Sequence, residues 1–246
     1  MPLLSVITPV YQPVAEHLRE AYESLKSQTL PNGWEWEWVV QEDGETRVAH
    51  QILPNDPQIK FGSGRRGGVA LTRNLALGRS RGTLVKNLDA DDVLTPGALA
   101  RDIEAFQRDP EIRWTTSRVL DLLPDGSTVG FDADPAEGRL EPGKVLRHWR
   151  ENNYRLPVHP TTICIDRDLL VTLGGWMGIP ASEDTGLLLA ASSVSVGHFI
   201  SEVGLYYRKW HGQATANDAH HDETERDVRM RLIGERADVL HQRWGR

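Results

Sequence analysis

The 246-residue sequence has one cysteine and fewer basic than acidic residues, and each shortage disfavours particular classes of protein. Its single cysteine, Cys164, lies in the apolar run TTICID and has no intramolecular disulfide partner, so we expect a buried thiol. Its 28 lysines and arginines against 35 acids give a formal charge of −7. Because nucleic-acid binding relies on basic side chains that pair with phosphates, this balance disfavours a nucleic-acid partner.

The sequence also lacks a long hydrophobic segment. No stretch reaches the roughly 18 apolar residues that a membrane-spanning helix needs. The first residues, MPLLSVITPVY, carry neither a basic leader nor a cleavage pattern. We therefore expect a cytoplasmic protein and leave peripheral membrane contact open. Hydrophobic residues form 39% and charged residues 26% of the chain, which is typical of a globular protein rather than a disordered one.

Strand-like and helix-like patterns alternate through the first half of the chain. Leu3–Val10 is a continuous apolar and β-branched run, which predicts a buried parallel strand. Ala15–Gln28 spaces its apolar residues four and three apart, which predicts an amphipathic helix. Further strands are predicted in WEWEWVVQEDGE, IKFGSG and GTLVKNLDADD, and helices in GVALTRNLALGRS and TPGALARDIEAFQRD, the last with Thr95 as its N-cap. This alternation predicts an α/β protein with a mostly parallel sheet covered by helices.

The second half of the chain is less regular. Two strands joined by a PDG turn are predicted in 112–131, further strands in VHPTTICID and HFISEVGLYYRKWH, and helices in GKVLRHWRENN, RDLLVTLGGW and SEDTGLLLAASS. The last segment is charged, and its recurring apolar residues are Val228, Leu232, Val239 and Leu240. They predict an amphipathic C-terminal helix that packs on the body or on a partner, so a homodimer stays open.

One glycine motif matches a known pattern in the wrong context. Gly62–Gly67, GSGRRG, has the glycine spacing of a dinucleotide-binding loop. That fingerprint follows the first strand of a βαβ unit and precedes, by about 20 residues, an acid that holds a ribose. Here it follows a third strand, and the acid at that distance belongs to an aspartate cluster. A turn into a helix is the simpler interpretation, although Arg65 and Arg66 could help to hold a phosphate.

Three aspartates crowd into four residues at the end of a predicted strand, in VKNLDADDVL. Each carboxylate raises the cost of ionising its neighbours, so a bound cation would relieve the cluster. Asp89 and Asp91 point to the same side of an extended chain, and carboxylates suit Mg²⁺ or Mn²⁺, which fill their shells with phosphate oxygens and water. The alternative is a solvated turn that caps a helix. Ligands of parallel sheets lie beyond the strands' carboxyl ends, so QEDGE and LDADD could face one crevice.

Six motifs in order resemble the inverting glycosyltransferases of family 2, which have the GT-A fold. They are SVITPVY, EDG, GGVALTRNLAL, GTLVKNLDADD, GGW…SED and YYRKWHGQAT, and they span about Leu3 to Thr215. The resemblance implies a Rossmann-like mixed sheet in a single domain over residues 1–246. It divides that domain into a nucleotide-binding half at about 3–110, an acceptor and catalytic half at about 111–215, and the C-terminal helix at about 219–246.

The resemblance implies a donor site at the ends of the first strands. The donor-binding residues that it implies are Thr8, Pro9, Tyr11, Asp43, Arg73 and Asp89. Tyr11 could stack on a pyrimidine base, and Asp43 could accept a base N–H. Without the family, the simpler interpretations are a turn aromatic, the first position of a β-turn, and a solvated helix residue for Arg73.

The resemblance also implies a metal site and a catalytic pair. Asp91 would bind Mn²⁺ or Mg²⁺, and His211 would complete the metal site, although a lone histidine is more often structural. Asp184 would act as general base with Glu183 beside it, near the acceptor or the sugar. The alternative is that the SED group caps a helix and complements its dipole.

Three further residues could contact the sugar or the acceptor. They are Trp176, Trp210 and Asp92. Core packing is the simpler alternative for the two tryptophans, and a local turn is the simpler alternative for the aspartate.

We therefore expect a metal-dependent inverting glycosyltransferase that uses a nucleotide-diphosphate sugar. A UDP-sugar is favoured, with dTDP- and GDP-sugars open, and the acceptor could be a small molecule, lipid head group, peptide or glycan. One alternative is a sugar nucleotidyltransferase, which should carry a glycine-rich basic loop after its first strand, where this chain has TPVYQPVAEH. Another is a non-catalytic nucleotide-sugar-binding protein on the same fold, which would bind the donor without transfer.

Overall fold

A ten-stranded mixed sheet forms the centre of the structure, a computed structural model that describes residues 1–213 and 222–245. The strands are β1 (Leu3–Val10), β2 (Glu35–Glu42), β3 (Ile59–Gly62), β4 (Leu84–Asn87), β5 (Val93–Leu94), β6 (Ile112–Leu122), β7 (Thr128–Val129), β8 (Gly138–Leu140), β9 (Cys164–Asp166) and β10 (Val196–Arg208). Their order is β3-β2-β1-β4-β9-β6-β10-β5, with β7 on β6 and β8 on β10.

Helices cover both faces of this sheet. They are α1 (Ala15–Lys26), α2 (Val48–Ile52), α3 (Val69–Arg79), α4 (Ala98–Arg108), α5 (Lys144–Glu151), α6 (Arg167–Thr172), α7 (Glu183–Val194) and α8 (Glu223–Trp244), with a 3₁₀ turn at Pro160–Thr162. The prediction of an α/β protein with a helix-covered sheet is confirmed.

The pairing of the first strands puts the polar loops on one edge. β3, β2, β1 and β4 are mutually parallel, so the chain leaves β1, β2 and β4 at the same end of the sheet. Tyr11, Asp43 and Asp89 follow those three strands. β9 then runs antiparallel to both β4 and β6, and it joins the parallel half to β6 and β10. The predicted crevice therefore lies at the carboxyl ends of the parallel strands.

Alternating residues of the strands belong to two hydrophobic cores, one on each face of the sheet. Leu4, Val6 and Trp38 face the helices α1 and α4, whereas Ile7 and Val39 face the core that contains α3, α5, α7 and α8. The two sets alternate because successive side chains of a strand point to opposite faces. Each large side chain that is fully buried contributes roughly 1.5–3 kcal/mol, so both layers hold the sheet in place.

Two predicted helix ends differ from the structure. α4 begins at Ala98, and its N-cap is Gly97 in the left-handed conformation (φ 75°), not Thr95. The Thr95 hydroxyl donates instead to the Val203 carbonyl, because the two-residue strand β5 brings this turn beside β10. The C-terminal helix begins at Glu223, after Asp222 accepts the Glu225 N–H at 2.8 Å. Positions 219–221 of its predicted range lie outside the described residues.

The C-terminal helix packs on the body mainly through residues other than the four that mark it in the sequence. Met230, Ile233 and Ala237 are buried against the core. Val228, Leu232 and Val239 are about half exposed, and Leu240 is partly buried. α8 carries apolar residues on two stripes, and the stripe of smaller or flexible residues fits more closely against α7. Among the described helices none is both long and apolar enough to cross a membrane.

A buried ion pair between β4 and α4 should contribute strongly to the free energy of unfolding. Lys86 and Asp102 meet at 2.8 Å with side chains only 2% and 1% exposed, and Thr115 and the Thr162 carbonyl complete their hydrogen bonds. Asp102→Asn leaves the lysine charge buried without its counter-charge. We expect the free energy of unfolding in urea to fall by about 3–5 kcal/mol.

The exposed Arg150–Asp238 pair supplies the matched control. Asp238→Asn should change the free energy of unfolding by less than about 1 kcal/mol, because water already solvates both groups. Equal losses in the two variants would contradict a stabilising role for the buried pair.

Candidate active site

A cleft of about 800 Å³ opens at the carboxyl ends of the parallel strands. Its walls come from the segments after β1, β2 and β4, the start of α3, the 3₁₀ turn, the start of α7 and the end of β10. The aspartate segment and the Asp43 segment both line it, so the predicted shared crevice is present.

Arg73 of α3 forms ion pairs with acids on two sides of the cleft. Its side chain is 4% exposed, its Nη2 lies 2.6 Å from Asp89 Oδ1, and its Nη1 pairs with Glu183 Oε1. Burial lowers the pKa of Arg73, but the carboxylates of Asp89, Glu183 and Asp184 raise that pKa by more. The guanidinium therefore stays charged and holds the aspartate loop against the start of α7.

The acids at the start of α7 occupy different surroundings. Glu183 is buried, and this burial raises its pKa to about 7, although Arg73 acts in the opposite direction. Asp184 is half-buried and lines the cleft. Ser182 is the N-cap of α7 with φ 64°, but its side chain makes no capping hydrogen bond. The serine therefore does not cap the helix through its hydroxyl, and the two acids lie in its first turn.

Each aspartate of the cluster has its own partners. Asp89 also accepts the Thr161 hydroxyl at 3.2 Å, and Asp91 accepts the Trp210 indole N–H at 2.7 Å. Burial is the main cause that raises the pKa of Asp91, and the Asp89 charge adds to it. Trp210 lines the cleft and fixes the orientation of Asp91.

Asp92 lies outside the cleft and is fully buried. Its Oδ1 accepts the Arg208 backbone N–H at 3.0 Å, and Oδ2 finds no hydrogen-bond partner within the described residues. Burial first, and then the charges of Asp91 and Asp89, raise the pKa of Asp92 well above its usual range. A carboxyl in this position holds the turn against β10.

The residues around Asp91 fit a cation that is shared with a diphosphate. Within 1–213 and 222–245, no group of three or more histidine, cysteine, aspartate or glutamate residues could hold a metal ion by itself. Asp91 keeps one carboxylate oxygen that Trp210 does not use. Magnesium and manganese sites of this kind take one or two carboxylates and complete their shell with phosphates and water. His211 is exposed, and its side chain does not line the cleft.

The donor residues expected after β1 and β2 lie in one wall. Pro9 and Tyr11 line the cleft, and Tyr11 is 46% exposed with the Arg66 guanidinium 4.3 Å from its ring centroid. Asp43 accepts the backbone N–H of Gly67 at 2.6 Å and that of Gly68 at 3.1 Å. This carboxylate therefore fixes the glycine-rich loop at the start of α3, which presents Arg66 to the cleft.

Two residues expected at the site are part of the core instead. Thr8 is fully buried, donates its hydroxyl to the Leu88 carbonyl at 2.6 Å and accepts the Trp38 indole N–H at 2.8 Å. Trp176 packs in the core on the α7 side, and its backbone pairs with the Asn74 side chain. Neither residue lines the cleft.

His159 is a cleft residue that the sequence analysis did not select. It precedes the 3₁₀ turn, its Nδ1 lies 3.4 Å from the Thr161 N–H that it accepts, and its ring centroid lies 4.8 Å from that of Tyr207. Burial is the main cause that lowers its pKa. A neutral imidazole with Nδ1 as acceptor carries its proton on Nε2. No periodicity or motif marks this position, since it lies in an irregular turn.

Comparisons with known proteins identify sequence relatives of the chain. Residues 5–119 match the model of glycosyl transferase family 2. The chain is 26% identical over 245 residues, 95% of its length, to the O-antigen biosynthesis protein RfbC of Myxococcus xanthus, of which it spans 18%. It is 29% identical over 157 residues to a chondroitin synthase of Pasteurella multocida, covering 61% of this chain and 16% of that one. The chain thus spans less than a fifth of these relatives.

A solved structure shows the same fold. The crystal structure of S. aureus TarS 1-349 in complex with UDP-GlcNAc matches with a TM-score of 0.72 and 21% identity, covering 98% of this chain and 70% of that one. The sheet and its helices form a GT-A fold. The match of residues 5–119 to glycosyl transferase family 2 confirms the resemblance seen in the motifs.

The raised pKa of Glu183 predicts a pH-dependent stability. A carboxyl whose pKa rises from 4.5 to about 7 on folding binds more protons in the folded state. Its contribution to stability is present below about pH 4.5 and is lost as the pH rises through 7. At about 1.4 kcal/mol for each pKa unit, the free energy of unfolding relative to Glu183→Gln should fall by about 2–3 kcal/mol from about pH 5 to about pH 8.

Urea unfolding at both pH values measures this difference. Glu202→Gln, on an exposed part of β10, is the matched control and should show no such trend. A constant difference between wild type and Glu183→Gln would contradict the raised pKa.

Proposed function

We propose that the chain transfers a sugar from a nucleotide-diphosphate sugar, preferably a UDP-sugar, to an acceptor hydroxyl or amine with inversion at the anomeric carbon. The observation that carries this proposal is the Arg73 link between Asp89 and Glu183. It brings the donor-side aspartates and the start of α7, with Asp184, to the same cleft. Activated donor and incoming acceptor would meet there.

The donor would bind along the wall formed after β1 and β2. Tyr11 offers an exposed aromatic face to a pyrimidine base, and Arg66 beside it offers a positive charge to the base or the diphosphate. Asp43 would contribute by holding the glycine-rich loop in place. Asp89 would accept hydrogen bonds from ribose or sugar hydroxyls. The related fold of TarS, solved with UDP-GlcNAc, supports a UDP-sugar.

Asp91 would hold a divalent cation, Mn²⁺ or Mg²⁺, together with the donor diphosphate. A cation bound there supplies positive charge that stabilises the diphosphate as it leaves. Trp210 orients Asp91 by its hydrogen bond. His211 is left out of this proposal because its side chain lies outside the cleft.

Asp184 would act as the general base. An inverting transfer is an in-line displacement, in which the acceptor attacks from the face opposite the diphosphate and a carboxylate takes its proton. Glu183 is less suited to this role, because it is buried and bound to Arg73. It would fix the start of α7 and so position Asp184. His159, neutral with its proton on Nε2, would donate a hydrogen bond to substrate rather than accept a proton.

Donor binding is tested by thermal shift with UDP, dTDP, GDP or CDP, each with Mn²⁺, Mg²⁺ or chelator. We expect UDP with a metal ion to stabilise most. At 100 times its dissociation constant a ligand adds about 2.7 kcal/mol, which corresponds to a shift of about 5–10 °C for a chain of this size.

Asp91→Asn should abolish the metal-dependent part of this shift, whereas Asp132→Asn, an exposed aspartate outside the cleft, should keep it. The same shift in chelator and in metal would refute the role of Asp91 as a metal ligand.

The base is tested by the release of UDP from UDP-sugars, with water as the acceptor. Asp184→Asn should lower kcat by about 10²–10⁴-fold, because it removes proton transfer, and should leave UDP binding in the thermal-shift assay unchanged. Equal rates for variant and wild type would remove Asp184 from the mechanism. Donor binding without any turnover, in wild type and with every UDP-sugar tried, would favour a nucleotide-sugar-binding protein instead.

A further inference from the structure

A second cleft, of about 760 Å³, lies between the end of α5 and the first half of α8. Residues that line it include Trp149, Asn153, Tyr154, Asp227, Arg231 and Gly234. It shares no lining residue with the cleft that holds the aspartates.

The floor of the second cleft depends on a glycine where a helix disfavours one. Gly234 lies in the middle of the 22-residue helix α8, where glycine costs about 1 kcal/mol relative to alanine. A Cβ at this position would lie 3.2 Å from Arg150 Nη2 and 3.4 Å from the Trp149 ring. The missing side chain therefore lets α8 approach Trp149 and Arg150 closely at the floor, at a cost to helix stability.

The wall of the second cleft is also strained. Asn153 and Tyr154 both adopt the left-handed conformation, with φ values of 51° and 63°. For a tyrosine this conformation is unfavourable by roughly 1–2 kcal/mol. The Tyr154 ring packs 4.6 Å from the Trp149 ring but stays 40% exposed. The left-handed Asn153 and Tyr154 and the mid-helix Gly234 are each locally unfavourable, and all three line one cleft. Such unfavourable positions are typical of functional sites.

The second cleft lies at the same end of the molecule as the start of α7. A Cβ on Gly186 would lie 3.6 Å from Ile233 Cγ1, and His241 Nδ1 lies 2.9 Å from the Ser193 carbonyl oxygen. Both contacts advance in the same direction, so α8 runs parallel to α7 with Arg231, a lining residue of the second cleft, about level with Asp184.

The chain itself connects the two clefts over a short distance. Tyr154 lines the second cleft, and His159, five residues further on, lines the first. Five residues span at most about 18 Å, so the two clefts lie within about 18 Å of each other at Tyr154 and His159.

The chemistry of the second cleft suits an uncharged sugar. Its charged lining residues are Arg150, Arg231, Asp227 and Glu235, whose formal charges cancel. A phosphate or an acidic polymer would need a net positive site. An exposed tyrosine face, an amide at Asn153 and mixed charged side chains can instead stack on a sugar ring and exchange hydrogen bonds with its hydroxyls.

We propose that the second cleft binds a neutral saccharide portion of the acceptor, one or more sugar units away from the transfer site. This inference rests on the proposed function, because it names the class of acceptor for the same reaction. The acceptor is then a glycan or a glycan-bearing molecule, held at two places.

The experiment measures oligosaccharide binding without nucleotide, by saturation-transfer NMR and titration calorimetry. The probes are the neutral tetrasaccharides chitotetraose, cellotetraose, maltotetraose and mannotetraose, and one acidic probe, a hyaluronan tetrasaccharide. We expect at least one neutral probe to bind wild type. Tyr154→Gly should weaken that binding about tenfold, because it removes the exposed ring and suits the left-handed backbone, so that the fold is kept.

Gly234→Leu is the second variant. It adds a side chain at the floor, for which the flexible end of Arg150 must move aside, and it improves helix propensity, so it should also weaken binding about tenfold. Phe131→Ala is the matched control, since this exposed aromatic lines neither cleft, and it should bind like wild type. Absence of neutral-probe binding, binding of the acidic probe alone, or equal affinity in all variants would overturn the proposal.

UDP release from UDP-sugars, measured in the same wild-type samples, separates this proposal from the proposed function. Turnover without saccharide binding overturns the second-cleft site alone. Saccharide binding that Tyr154→Gly weakens, without any turnover, supports the second cleft and refutes the transfer reaction.

Discussion

The charge of Arg73 is the interaction on which the active-site cleft depends. A guanidinium that is almost fully buried is tolerable only because two carboxylates face it, Asp89 from the aspartate loop and Glu183 from α7. The dependence runs both ways, since each of these acids would be poorly solvated without the arginine. Removing Arg73 would leave both acids without their counter-charge, so this one cation connects α3, the aspartate loop and the start of α7.

This network explains why the aspartates can be crowded. Asp89 is neutralised by Arg73, and Asp92 is buried with its charge disfavoured, as the rise in its pKa indicates. Asp91 remains, oriented by Trp210 and open to the cleft. The three carboxyls of the motif thus differ in surroundings although they are neighbours in sequence. Asp91 lines the cleft and its carboxylate forms no ion pair with a lysine or arginine among the described residues, so a metal-bound diphosphate could supply the missing positive charge there.

Some of this could be predicted from the sequence because the patterns are strong. The apolar runs of β1 and β4 favour buried parallel strands. The acids that follow parallel strands lie at the same edge of the sheet, beyond the carboxyl ends of the strands. The family resemblance implies a donor role for Thr8, yet the period of two in β1 places it on the same side as Val6 and Val10, in the core. The strand period therefore predicts the direction of this side chain better than the motif does.

Other features could not be predicted in this way. Whether Trp176 turns toward the cleft depends on the glycine turn before it, and two apolar stripes compete for the body on α8. His159 enters the cleft from an irregular turn, where no periodicity constrains a side chain. Such positions are fixed by long-range contacts, here the bond from Thr161 to Asp89.

The pair Glu183 and Asp184 shows how surroundings divide two similar groups between two roles. Both lie in the first turn of α7, where the helix dipole favours negative charge. Glu183 is turned inward and bound to Arg73, so its proton affinity follows burial and that partner. Asp184 faces the cleft, where a substrate proton can reach it. Because Arg73 also holds Asp89, the position of the proposed base and the position of the donor-side carboxylate are set by the same cation. A change that loosens Arg73 therefore affects donor binding and proton transfer together, even though the two sites lie on different elements of the fold.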